Sequence, residues 1–295
     1  MAKGSKQSDR GNYPILTCTP RMLAPTKWVE AARTAVTINP VNRPAAERLG
    51  LIDPRVITPQ HIAVMTTKYW TSGAVKLTVG FLDNAPTDLQ KRILLHMNAW
   101  AETANVQFTL TKGAAQVRIA RVADGYWSYL GTDILHIEPD QQTMNLQDFS
   151  MDTPESEFHR VVRHETGHTL GFPHEHMRQA LVDLIDPDKA IKYFGETQGW
   201  SPEMVRAQVL TPIEESSLMG TDPPDPDSIM CYQIPGSITR SGEPIAGGTD
   251  IDPTDYGFAG KIYPNQKASA PAKSQAPRKS APKKRAAARK RPRRG

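Results

Sequence analysis

The segment His164-Glu165-Thr166-Gly167-His168-Thr169-Leu170-Gly171-Phe172-Pro173-His174 constrains this 295-residue chain more than any other feature. On a helix, residues four apart stand on one face a turn apart, so His164 and His168 can aim two imidazoles at a single ion. A catalytic zinc site takes three protein ligands in near-tetrahedral geometry, at about 2.0–2.1 Å for nitrogen, and leaves a fourth position for water. The third ligand must approach from another direction. Gly171 has no Cβ, can adopt positive φ and can turn the chain back beneath the helix, which brings His174 to the ion. Glu165 directly follows the first ligand and flanks the open position. There it can take a proton from a water whose pKa the metal has lowered to about 7. This pattern predicts zinc as the cofactor, one catalytic ion, and metal-assisted amide hydrolysis. The bland alternative is a helix with surface histidines and a C-terminal glycine.

A second segment, Ser228-Ile229-Met230-Cys231-Tyr232, is by itself an ordinary apolar strand or turn. Behind the longer motif it gains meaning. A methionine beneath three histidines offers a soft, polarizable floor. A tyrosine two residues later can place its hydroxyl near the metal, either to ligate it at rest or to hydrogen-bond an oxyanion.

Taken together, HETGHTLGFPHEH and SIMCY resemble the metzincin zinc proteases, and within them the astacin family. The likeness runs over about residues 68–264, including Tyr126-Trp127-Ser128-Tyr129 and the closing IDPTDYGFAGKIYP. It implies a zinc endopeptidase with a horizontal substrate cleft. His164, His168 and His174 would be ligands and Glu165 the base. Met230 would be the structural Met-turn, and Tyr232 a switchable fifth ligand and oxyanion donor. Arg178 falls where astacins carry an arginine. Cys231 stands where many members have histidine, and the family's multiple disulfide cysteines are absent, which suggests a divergent bacterial-type branch. Glu175 has two readings: the partner of a trimmed N-terminus, as in astacins, or a helix-end carboxylate. Some metzincins are kept latent by a leader thiolate in the fourth zinc position, and thiolates bind zinc well. Cys18 is therefore either a latency ligand or a spare cysteine.

The expected fold class is α+β. A metzincin-like domain would have a twisted mixed sheet of four or five strands, a backing helix, an active-site helix and a mostly irregular C-terminal subdomain. The expected boundaries are a leader or pro-like segment at 1–66, a catalytic domain at 67–265 (upper part 67–171, lower part 172–265) and a basic tail at 266–295. Short helical stretches such as 27–36 are possible in the leader. Alternation marks Ala74–Leu82 as a strand, and Val106–Leu110 and Gln116–Arg121 also read as strands. Ile134–Ile137 and Thr143–Leu146 are shorter candidates. Leu89, Ile93, Met97, Trp100 and Ala101 share one face of a helix from Thr87 to about Glu102. The active-site helix should run from about Ser156 to Leu170, followed by a helical insert at 188–209 and a last helix at 254–261. His136 reads as an edge-strand residue, His159 as helix surface, and His176 as solvent-facing or behind the ligands.

Charge divides the chain. The formal net charge is +5, yet the stretch 267–295 holds twelve of the 36 Lys+Arg and no acid, so 24 basic face 31 acidic residues in the rest, about −7. The tail lacks aromatics for base stacking and any groove-reading motif, but it can contact nucleic acid or other polyanions non-specifically. Alternatively it is a solvated, low-complexity tail. Cys18 and Cys231 are too few for a disulfide framework, and the sequence leaves open whether they pair. The chain has no run of 18 apolar residues, so no membrane span is expected, and no signal peptide is visible. The compartment stays open, with the resemblance favouring secretion. Expected partners are protein or peptide substrates, with the chain a monomer. Three functions compete: an active endopeptidase, a nucleic-acid-associated protein acting through its tail, and a zinc domain kept only as a binding module. The intact set of three histidines and a glutamate argues against the last.

Overall fold

The computed structural model describes residues 18–19, 21–44, 58–71, 73–212 and 223–265. Expectations for 1–17, for 45–57 and for the basic tail lie outside the described residues. Strand β1 (Val75–Phe81) alternates as its sequence demands, with Val75, Leu77 and Val79 buried. It pairs in parallel with β2 (Val106–Leu110) and β3 (Val117–Ala120). The sheet continues through β5 (Met144–Leu146) to β4 (Tyr126–Ser128), in the order β2-β1-β3-β5-β4, and only β4 runs antiparallel. A parallel sheet must be covered on its faces. Helix α3 (Thr87–Met97) supplies one cover, with Leu89, Ile93 and Met97 fully buried, and Trp100 follows in a 3₁₀ continuation (Asn98–Glu102).

The expected edge strand at Ile134–Ile137 is a correction. Residues Gly131–His136 form a 3₁₀ helix, and the antiparallel edge is Tyr126–Ser128. The run Ile134–Ile137 is largely apolar, but a strand needs a neighbour to pair with, and β5 pairs instead with the aromatic run.

The active-site helix α4 is continuous but wound three ways: an α turn (Glu155–Glu157), a π-helical stretch (Phe158–Val162), then α-helix (Arg163–Thr169). Phe158 and Val162 are fully buried, and π stretches in helices often lie beside functional sites. Trp100 Nε1 donates to Arg163 O at 2.9 Å and Trp70 Nε1 to Thr169 O at 2.8 Å, so two buried indoles fix the height of the helix.

Below it the chain is mostly irregular around a second hydrophobic cluster that includes Leu181, Ile185, Phe194, Val205, Ile234 and Ile238. Helix α5 (Pro187–Gln198) enters through an Asp186 cap, and α6 (Pro253–Ile262) through a reciprocal Asp252–Asp255 capping box.

The leader is not loose where it is described. Helix α1 (Trp28–Ile38) buries Ala31, Ala32 and Ala35, small residues that allow close approach, and α2 (Pro59–Met65) packs against it. The amide of Asn42 donates to Tyr69 O at 2.7 Å and accepts from Tyr69 N at 2.8 Å, in the manner of a neighbouring strand.

Candidate metal centre

The sharp return of the chain at the end of α4 places the third histidine. Gly171 has φ 94°, and a Cβ there would lie 3.0 Å from Lys68 O, so both conformation and space require glycine. Phe172 N bonds back to Gly167 O at 3.0 Å, and His174 comes up beneath His164 and His168. Its Nε2 lies 3.1 Å from His164 Nε2 and 3.0 Å from His168 Nε2.

The outer nitrogens are committed elsewhere. His164 Nδ1 lies 2.6 Å from Ile229 O and His168 Nδ1 2.7 Å from Phe172 O. A carbonyl can only accept, so each ring carries its proton on Nδ1 and turns an Nε2 lone pair inward. Burial drops His168 to about 4 and holds His164 and His174 well below the ordinary histidine range, so the rings are neutral near pH 7. The Nε2 lone pairs of His164 and His168 both face His174 Nε2, which can satisfy only one of them by donating a proton, whereas a cation among the three satisfies all. Tetrahedral ligands at 2.0–2.1 Å stand about 3.3 Å apart, close to the spacing seen here. The donor set fits zinc.

The floor is the turn at 228–232, where the sequence placed the expected Met-turn. Met230 is 4 % exposed, and its Sδ lies so near α4 that a Cβ at Gly167 would meet it at 2.4 Å. Asp255 holds this turn from α6, accepting from Ser228 Oγ at 2.6 Å and Ile229 N at 2.9 Å. Burial raises Asp255 to about 6 despite these bonds. Glu175 N donates to Met230 O at 2.9 Å, which ties the third-ligand loop to the same turn. The Glu175 carboxylate accepts from Arg178 at 3.2 Å and from Asp225 N at 3.1 Å, so in this form of the chain it anchors a loop.

Glu165 and Tyr232 flank a cleft also lined by Tyr126, Arg160, Gln233 and Gly248. Burial pushes the Glu165 carboxyl up to about 8, with the Cys18 thiol, 3.5 Å away, opposing that rise. The Tyr232 hydroxyl donates to Cys18 O, and its ring packs on His174 and stacks on His176 at 3.9 Å between centroids. The leader therefore sits in the cleft. Cys18 Sγ and the three histidine ligand atoms all lie within 4.8 Å of one another. Thr19 N donates to Tyr126 O at 3.0 Å, and Cys18 and Arg21 bridge Tyr126 and Tyr129 in parallel along the sheet edge. Cys18 and Cys231 are both buried and both free, so they do not pair.

All seven side chains singled out from the sequence, His164, Glu165, His168, His174, Met230, Tyr232 and Cys18, meet at this centre. His176 is not solvent-facing but fully buried, with Nε2 3.0 Å from Gln208 O. Gly167 and Asp255 escaped the sequence reading. Asp255 was accessible in principle, because Asp252-Pro253-Thr254-Asp255 carries a capping-box spacing, but no local rule says that its carboxylate also faces residue 228.

Residues 63–197 match the profile of the peptidase family Astacin. The protein "Zinc metalloproteinase nas-27" from Caenorhabditis elegans is 30% identical over 105 residues, which span 36% of this chain and 23% of that protein. The chain thus covers under a quarter of that relative's length. A solved structure of myroilysin superposes with a TM-score of 0.63 at 28% identity, over 67% of this chain and 96% of that one. A crystal structure of myroilysin gives 0.51 at 28% identity, over 67% and 86%.

Proposed function

We propose that this chain is an astacin-like, zinc-dependent endopeptidase held latent by its own leader, a reading supported by the Astacin profile match over residues 63–197 and by the superposition on myroilysin. One observation carries the reading. The buried Nε2 atoms of His164 and His168 each lie within 3.1 Å of His174 Nε2 while the Nδ1 protons of His164 and His168 are spent on carbonyls, which leaves a site that a cation completes.

His164, His168 and His174 would hold a single zinc, which supplies Lewis acidity toward the scissile carbonyl and acidifies the attacking water. Glu165 accepts the proton of that water and passes it to the leaving amine. Tyr232 donates its hydroxyl to the carbonyl oxygen as negative charge develops there. An extended substrate pairs with the β4 edge, whose Tyr126 already bonds the leader backbone.

Latency rests on Cys18. Its sulfur would complete the ligand set, its carbonyl occupies the Tyr232 hydroxyl, and its flanks occupy the strand edge. Activation requires residues 18–21 to leave.

The test couples metal analysis to casein hydrolysis. Purified chain should hold zinc, activity should appear after leader removal and vanish with chelator, and Glu165→Ala should abolish it while retaining zinc. Cys18→Ser should raise the activity of the full-length chain at least tenfold. A metal-free, folded chain that stays inert with added zinc refutes the enzyme. Equal activity of Cys18→Ser and parent refutes only the latency.

A further inference from the structure

A second cluster of ligand-type side chains stands on the N-terminal side of His164. His96, in the last turn of α3, faces Glu155 and His159, which lie one turn apart on α4. One ligand atom from each of the three lies within 4.8 Å of the others. His96 is 2 % exposed, yet among the described residues its Nε2 has no aligned hydrogen-bond partner, although Glu155 Oε1 is only 3.1 Å away. A buried imidazole nitrogen left in that condition forfeits the hydrogen bond it had to water, so it calls for a partner. His159 Nε2 lies 3.6 Å from the same carboxylate oxygen.

From this geometry we propose a second divalent-cation site, formed by His96 Nε2, His159 Nε2 and Glu155 Oε1, that takes zinc and staples the backing helix to the active-site helix. Two histidines and a glutamate are a zinc donor set, and separations of 3.1 and 3.6 Å bracket the roughly 3.3 Å expected between ligands of a tetrahedral ion. His159 Nδ1 lies 2.7 Å from Asp250 Oδ2. That carboxylate holds the ring proton on Nδ1 and frees Nε2, the outer support usual behind a metal-bound histidine. Arg92 Nη2 binds Glu155 Oε2 at 2.6 Å and leaves Oε1 for the ion. Burial lowers the proton affinity of His96, which keeps its ring neutral and able to ligate. The Glu155 side chain is 58% exposed, so water has access for entry and for the fourth position.

Arg163 opposes the ion. Its Nε lies 3.4 Å from His96 Nδ1, its Nη2 lies 3.5 Å from His159 Nε2, and Arg92 adds another positive charge. Asp250 neutralises Arg163 through a 2.6 Å bond to Nη1. This site must therefore be weaker than the three-histidine centre, and its ion exchanges first on dialysis.

The experiment is a zinc titration of metal-stripped full-length chain by calorimetry. Differential scanning fluorimetry accompanies it, on the parent and on His159→Gln and Glu155→Gln, both at partly exposed positions. We expect the parent to bind two equivalents, the second at least tenfold more weakly than the first. Each variant should keep the first equivalent unchanged, lose the second or weaken it at least tenfold, and lose the thermal shift that accompanies it. One equivalent in the parent, or a second that both folded variants retain at equal affinity, overturns the proposal. Variants that lose the first equivalent and keep the second also overturn it.

Discussion

Replacing Gly167 by alanine tests how tightly the Met-turn is packed against the active-site helix. The added Cβ would sit 2.4 Å from Met230 Sδ and 3.2 Å from both Met230 Cε and Trp100 Cζ2. Comfortable heavy-atom contact is about 3.5–4.0 Å, so the sulfur must move by more than about 1 Å. Trp100 cannot yield, because it is 1 % exposed and its Nε1 is tied to Arg163 O. Met230, 4 % exposed, is pressed downward, away from the ligands. Overpacking of this severity costs about 3 kcal/mol, the upper end of the usual range. The better helix propensity of alanine returns about 1 kcal/mol. The net of about 2 kcal/mol should lower the thermal midpoint by roughly 4–8 °C for a domain of this size. Met230→Ala alone should cost about 2–5 kcal/mol through the cavity it leaves. In the double variant the new methyl group fills part of that cavity, so the two losses should sum to at least about 1 kcal/mol less than additivity predicts. Thermal and urea unfolding of the zinc-loaded proteins read all four corners of the cycle. A Gly167→Ala protein as stable as the parent, together with an additive double variant, would refute the packing argument.

Three further outcomes follow from the same geometry. In a Cys18→Ser background, Tyr232→Phe should lower kcat by about 10²–10³ with zinc content and KM little changed, because it removes one oxyanion donor; steady-state kinetics with metal analysis check this. Asp255→Asn should cost about 1–3 kcal/mol and speed zinc release, since the bonds to Ser228 and Ile229 hold the carbonyl that orients His164; chelator-chase kinetics would show it. In the metal-free chain the stability contributed by its buried neutral histidines should be lost as pH falls from about 6.5 to about 4, opposed by the raised carboxyls of Glu165 and Asp255. His168 and His176 have folded-state proton affinities lowered to about 4, so the unfolded state binds more protons throughout that window. Each can contribute up to about 3 kcal/mol, and the urea midpoint of the parent should fall across that interval relative to that of His176→Phe, in which one of the two groups is absent.

The convergence of the three histidines was legible because it is local. Four-residue spacing, a glycine and a three-residue return are short-range rules, and His164, Glu165, His168 and His174 obey them within eleven positions. The strands with alternating or continuous apolar runs were legible for the same reason. The short edge was not. Tyr126–Ser128 and Ile134–Ile137 have similar local preference, and partner availability in the sheet decided between them. His159 read as helix surface because periodicity cannot see His96 and Asp250, which arrive from 63 and 91 positions away.

By itself the sequence determined the chemistry of the centre: which side chains can bind an ion, which can move a proton, and where the chain must turn to let them converge. Only the tertiary structure decided what surrounds that chemistry. It placed Cys18 among the three imidazoles, set Gly167 against Met230, drew Asp255 under the Met-turn and left His96 Nε2 without an aligned hydrogen bond. The physical reason is range. Backbone geometry fixes contacts within a turn or two, whereas contacts between distant segments depend on how buried surfaces and hydrogen-bonding groups are satisfied by the whole fold at once.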